Sequence, residues 1–191
     1  VKGYLDESEV WIDIDEDGSK SSDELTKTDK NGNFSLDISN NITGSRFLSV
    51  SGGRDTSTQE PFMGNLRAAF NTESRESVVA SPISSLVANR VAKGDTLDVA
   101  QEMIFQALGL SDISDITKDP IAEASKENGN SEILKRSLQV ARVVELISVN
   151  ADDDSSEDSI LDSVVAAIEA GEDLDTALKS VAEAKITVTA K

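Results

Sequence analysis

Near residue 77 the spacing of apolar side chains changes, and that change restricts the chain to very few architectures. Before it, apolar and polar residues alternate over short runs at 2–5, 9–13, 25–28, 33–38, 46–51 and 62–68, the period of half-buried strands. After it, apolar residues recur every three or four positions, the period of helices buried along one face. Strands followed by helices predict an α+β fold and not alternating βα units. The expectation is a small β-sandwich-like part over residues 1–73 and an α-helical bundle over 74–191, packed as one unit, with the boundary between Asn71 and Ser77.

Punctuation residues sharpen this outline. Asn31-Gly32, between two strand-like runs, predicts a hairpin because both residues tolerate positive φ. Phe34, Leu36 and Ile38 would then face inward. Ser81 and Pro82 read as the N-cap and first residue of a helix carrying Ile83, Leu86, Val87 and Val91 on one face and stopping at Gly94. Further helices are expected from Thr96 to Gly109, from Asp119-Pro120 to Lys126, over 131–148, from Ile160 to Gly171 after an acidic linker at 152–158, and from Leu174 onward. The fourth is the longest. Its Ile133, Leu134, Leu138, Ala141, Val144 and Ile147 predict the apolar face at the centre of the helical part, with Arg142 outward.

One loop carries chemistry. From Asp13 to Glu24 the sequence sets carboxylates at loop positions 1, 3 and 5 (Asp13, Asp15, Asp17), glycine at 6 (Gly18), Ser19 at 7 and Glu24 at 12. A hard cation takes six to eight oxygens at about 2.4 Å, and alternate residues of a tightly curled loop present their oxygens inward, so this spacing predicts a calcium loop. Ser19 would offer its carbonyl, and Glu24 would close the shell with both oxygens. The run before it, 9–13, is strand-like, so the pattern is a strand leading into a calcium loop and not a helix–loop–helix pair. The plain alternative is a solvated acidic turn, in which three aspartates within five residues would repel one another with nothing to neutralise them.

The charge agrees with a bound cation. Thirty-six acidic against eighteen basic residues give a net charge of −18, which disfavours nucleic acid and anionic membrane surfaces and weakens the compact state by self-repulsion. With no histidine and no cysteine the chain lacks the usual general bases, thiol nucleophiles, zinc ligands and disulfides. A sugar cleft would want more stacking surface than seven aromatics supply, and no enzymatic activity is expected. An acidic loop of this kind fills where calcium is plentiful, outside the cell. No run is long and apolar enough to span a membrane, and there is no initiator Met, so the chain is expected to be a soluble piece of a longer secreted protein whose signal lies elsewhere.

A second loop, over 51–62, invites a binding role. The adjacent Gly52 and Gly53 let backbone amides approach an anion, Arg54 and Thr56 add donors, and Asp55 offers an oxygen to a second cation. Composition alone equally suits an ordinary connecting loop rich in turn residues.

Read in order, Val1-Lys2-Gly3-Tyr4-Leu5, the Asp-rich loop, Thr28-Asp29-x-Asn31-Gly32-Asn33-Phe34, Gly52-Gly53-x-Asp55-Thr56, Pro61-Phe62-x-Gly64-x-Leu66 and Ser81-Pro82-Ile83-Ser84-Ser85-Leu86-Val87 resemble a domain of the very long repeats-in-toxin (RTX) adhesins of Gram-negative bacteria. The likeness covers most of the chain, is most specific between residues 28 and 90, and thins later to Gly109-Leu110 and Asp119-Pro120-Ile121. Ser21 departs from it, since related loops often carry Asp at position 9. The resemblance implies a secreted, cell-surface module near the tip of a calcium-stiffened stalk, where some such domains grip the C-terminus of a peptide or protein on a host or other cell with calcium in the site. Its other partners would be neighbouring domains of the same adhesin, and a monomer is expected. Gly52, Gly53, Arg54, Asp55 and Thr56 are the expected ligand contacts, with Asp55 also on metal. Two alternatives stand beside this: a calcium-rigidified structural spacer, and calcium-dependent carbohydrate binding.

Overall fold

The structure is a computed structural model that describes residues 3–14, 20–38, 43–73, 77–110, 117–127, 129–150 and 156–185. Strands come first and helices after, an α+β order. A four-stranded antiparallel sheet is built from β2 (Glu9–Ile12), β3 (Leu25–Lys27), β4 (Ser45–Ser51) and β6 (Asn65–Asn71) in the order β3-β2-β4-β6. A second antiparallel pair joins β1 (Leu5–Asp6) to β5 (Arg54–Asp55). The helices are α1 (Pro82–Ala92), α2 (Leu97–Leu108), α3 (Pro120–Ser125), α4 (Glu132–Asn150), α5 (Glu157–Glu169) and α6 (Leu174–Lys185). The chain forms two compact units, 1–88 and 89–191, which divide inside α1.

In the first unit Leu5, Val10, Ile12, Leu48, Val50 and Leu66 form the buried core. Alternation explains it: Val10 and Ile12 on β2 oppose Val50 and Leu48 on β4, and Val50 and Leu48 in turn oppose Leu66 and Ala68 on β6. The run 33–38 corrects one expectation. Phe34, Leu36 and Ile38 pack against this core while Asn33, Ser35 and Asp37 are exposed, so the period is that of a strand, but no ladder forms there. The turn before it does form. Gly32 has φ 74°, its N–H donates to Asp29 C=O at 2.8 Å, and the Asp29 carboxylate accepts from the N–H groups of Asn31 and Asn33. Those backbone donors, Asn33 first, hold the Asp29 carboxyl below its usual range. Gly32 is needed for a second reason, because a Cβ there would stand 2.9 Å from the Tyr4 ring.

Strand β6 lies at the end of the sheet, and at Arg67 its outward groups are covered. The Arg67 N–H donates to Ser85 Oγ (2.9 Å), and its C=O accepts from Ser84 Oγ (2.7 Å). Ser81 caps the same helix as expected, accepting from the Ser84 N–H at 3.1 Å. Every residue of α1 from Ile83 to Arg90 is buried, so this helix has no solvent face in that stretch.

In the second unit, Ala100, Ile104 and Leu108 of α2 and Ile160, Val164 and Ile168 of α5 are buried along single faces. Arg90, itself buried, pairs with Asp95 and with Glu169 (2.7 Å), and the Asn89 amide donates to Asp162 (2.6 Å). Caps follow the sequence. Thr96 and Gly109 bracket α2, Asp119 caps α3, and Asp173 accepts from the Thr176 N–H, the contact that most lowers its carboxyl's pKa. The start of α5 lies within the stretch expected as linker. Ser156 caps it, so Glu157 and Asp158 occupy the first turn, where the helix dipole favours anions. On α4 the buried line is Ile133, Ser137, Val140, Val144 and Ile147. Leu138 was expected among them. It lies about 140° round the helix from Ile133, outside a face that is only about 100° wide, and is exposed.

Candidate functional site

The twelve-residue segment 13–24 connects β2 to β3, and its ends are drawn together by ladder pairing of Trp11 with Leu25. Below that pair the Ile12 N–H donates to Glu24 C=O at 3.0 Å. The Glu24 side chain completes the closure. It is only 3% exposed. Oε1 accepts from the Ile14 N–H at 2.7 Å, and Oε2 accepts from the Ser21 N–H at 3.0 Å and lies 2.7 Å from Ser21 Oγ. One carboxylate thereby bridges the beginning and the end of the loop.

Asp13 stands half-buried at the start of the same segment. Asp15, Asp17 and Ser19, expected at loop positions 3, 5 and 7, lie outside the described residues. Among the described residues no group of three acidic side chains is gathered in a way that would hold a metal ion. Asp13 and Glu24 are hard oxygen donors of the kind calcium takes, and both sit at the base of the loop. Lys20, further along, pairs with Glu9 and lies 5.5 Å from the centroid of the Trp11 ring, a cation held over the face of the strand that leads in.

The second candidate loop is built differently. Gly52 and Gly53 both have positive φ, 66° and 75°, so the pair of glycines is a backbone requirement. Gly53 also lies against the chain at residues 6–8, where a Cβ would stand 2.4 Å from Asp6 O and 2.6 Å from Ser8 N. The Gly52 carbonyl accepts from Ser8 Oγ at 2.7 Å. Asp55 is 6% exposed. Its Oδ1 accepts from the N–H groups of Ser57 (2.8 Å) and Thr58 (3.2 Å), and its Oδ2 accepts from the Gly3 N–H (3.2 Å). Thr56 N–H donates to Tyr4 C=O at 2.8 Å, and the Arg54 guanidinium reaches Gln59 C=O. The structure thus gathers Gly52, Gly53, Asp55 and Thr56 into one knot with residues 3–8, with Arg54 on the exposed side. Met63, just beyond, is 90% exposed.

Ser8 has no assigned role in the sequence pattern, Thr28 enters only as part of the resembling motif, and Ser21 only as the loop position that departs from it. Ser8 and Thr28 are buried and bonded to each other twice, Ser8 N–H to Thr28 Oγ1 and Thr28 N–H to Ser8 C=O, both at 3.0 Å. Small hydroxyl residues next to strand ends were the available signal, and it does not name a partner. Among the described residues no helix is long and apolar enough to cross a membrane. No family model, curated protein or solved structure matches the chain.

Proposed function

We propose that this chain is a calcium-dependent peptide-binding domain of a secreted RTX-type adhesin at the bacterial cell surface, with the strands as a small calcium-binding sandwich and the helices as a bundle. The observation that carries the calcium part is Glu24, a buried carboxylate that joins the two ends of the acidic 13–24 segment and lies with Asp13 at its base. Calcium there would be held by Asp13 and Glu24 together with the loop oxygens of Asp15, Asp17 and Ser19. It would draw the acidic loop together and offset part of the net charge of −18. The ligand part rests on the sequence resemblance and on the exposure of Arg54 and Met63 at the rim of the 52–62 loop. An exposed guanidinium suits a peptide carboxylate.

A specific observation favours the spacer alternative. Asp55 and the two glycines are engaged with their own backbone, which is what a rigid connector requires. Calorimetry separates the two readings. Calcium chloride titrated into chelator-stripped protein should bind, and in calcium a peptide with a free C-terminus should bind much more tightly than its amidated copy. Calcium binding without discrimination between the peptides leaves the spacer. Failure to bind calcium removes both.

A further inference from the structure

The outer face of α4 carries an apolar stripe that the fold does not use. Leu138 is 37% exposed, Leu146 39% and Val149 77%, and these are three of the five large apolar side chains left open among the described residues. They lie opposite the buried line of Ile133, Val140 and Ile147. Between them, on the same side, Arg142 and Glu145 form an exposed ion pair at 2.8 Å.

The stripe is self-complementary when reversed. Leu138 and Val149 are centred on the same point of the helix as Arg142 and Glu145, between Val143 and Val144. A two-fold axis across that point runs two copies of α4 antiparallel. Leu138 then faces Val149 of the second copy, and Arg142 faces Glu145 of the second copy. Both pairs lie on the same flank of the helix, and Leu146 meets the aliphatic stem of Arg142 of the second copy. Each Arg142 would stand between two glutamates, its own and the partner helix's, so closing the pair sacrifices no existing ion pair. A two-fold interface needs this match of a patch with its own reverse, and a patch evolved only for another protein has no reason to possess it.

We infer that α4 is a homodimerisation surface on which two copies of this chain pack antiparallel through Leu138, Arg142, Glu145, Leu146 and Val149. This goes beyond the proposed function and does not depend on it. It departs from the monomer expected from the sequence. Three apolar side chains per copy cover less than the roughly 800 Å² per partner of a standard interface, so the dimer is weak. Two bodies of net charge −18 also repel, so it forms best where salt screens beyond about 8 Å.

Sedimentation equilibrium of the whole chain at about 0.15 M salt, from about 10 μM to about 1 mM, should show a reversible monomer–dimer equilibrium. Leu138→Ser with Val149→Ser should weaken it by about tenfold or more, as should Arg142→Glu alone. Arg142→Glu with Glu145→Arg should restore it, because the reversed charges face each other again. All four positions are exposed, and the helical circular dichroism should stay unchanged. Monomer throughout would overturn the inference. So would a dimer indifferent to these substitutions, or a charge-swapped double variant that stays as weak as Arg142→Glu.

Discussion

A buried carboxylate that accepts from the Ile14 and Ser21 N–H groups is held in place whether or not a cation is near, so under the proposed function Glu24 would stabilise the fold in two separate ways. Removing it strands the N–H groups of Ile14 and Ser21 at the base of the loop. Glu24→Ala should therefore cost about 1–3 kcal/mol even in chelator. In calcium the loss should be larger by the binding term, about 2.7 kcal/mol if the ion is present at a hundred times its Kd. Urea denaturation of both proteins in chelator and in calcium measures the two parts separately. A loss of the same size in both conditions would mean that Glu24 only ties the loop. The sequence made Glu24 legible as the last position of an oxygen-rich pattern, because the spacing of cation ligands is local. It did not show the bonds to Ile14 and Ser21. Likewise Asp29 was readable from Asp-x-Asn-Gly, whereas the Ser8–Thr28 pair was not, since its partners are brought together only when β2 and β3 pair.

Among the elements, β6 shows how a sheet end is closed by a helix. Its Arg67 N–H and C=O are among the groups that another strand would use, and Ser84 and Ser85 occupy them. The double change Ser84→Ala, Ser85→Ala should destabilise the first unit by about 2 kcal/mol, one net hydrogen bond for each serine with little loss of packing. Chemical denaturation followed through Trp11, which lies on β2 of the same sheet, would detect it. A change under about 0.5 kcal/mol would mean that water replaces both hydroxyls at no cost. The helices were legible nearly to their ends because caps are local signals: Ser81, Thr96, Asp119 and Gly109 all act as the spacing implied. Strand pairing was less so. Alternation at 33–38 correctly separates Phe34, Leu36 and Ile38 from their exposed neighbours, but it says nothing of whether a ladder partner is in reach. Strand β5, two residues long, is too short to show any period. On α4 two apolar stripes compete in the sequence, and only packing decides which is buried.

At the scale of the whole molecule, charge is the dominant constraint. A surplus of eighteen negative charges opposes compaction everywhere, and one of its acidic runs, Asp13 to Glu24, belongs to the first unit. A cation bound there in the native state and not in the unfolded chain adds RT ln(1 + [L]/Kd), and it also removes repulsion among Asp13, Asp15 and Asp17. The chain has one tryptophan, Trp11, on the strand that leads into this loop, with the Lys20 ammonium over its ring. Its fluorescence therefore reports the loop's own unit, while most of the helical signal comes from α2 to α6 in the other. Thermal unfolding watched at Trp11 should shift upward in calcium relative to chelator, and the shift should vanish in Asp13→Ala. Magnesium should give a smaller shift, since it demands near-ideal octahedral geometry and gives up its water reluctantly, which suits a cage made mostly of protein oxygens poorly. A calcium shift confined to the helical signal, with none at Trp11, would put the ion on another part of the chain and leave the 13–24 segment an acidic turn.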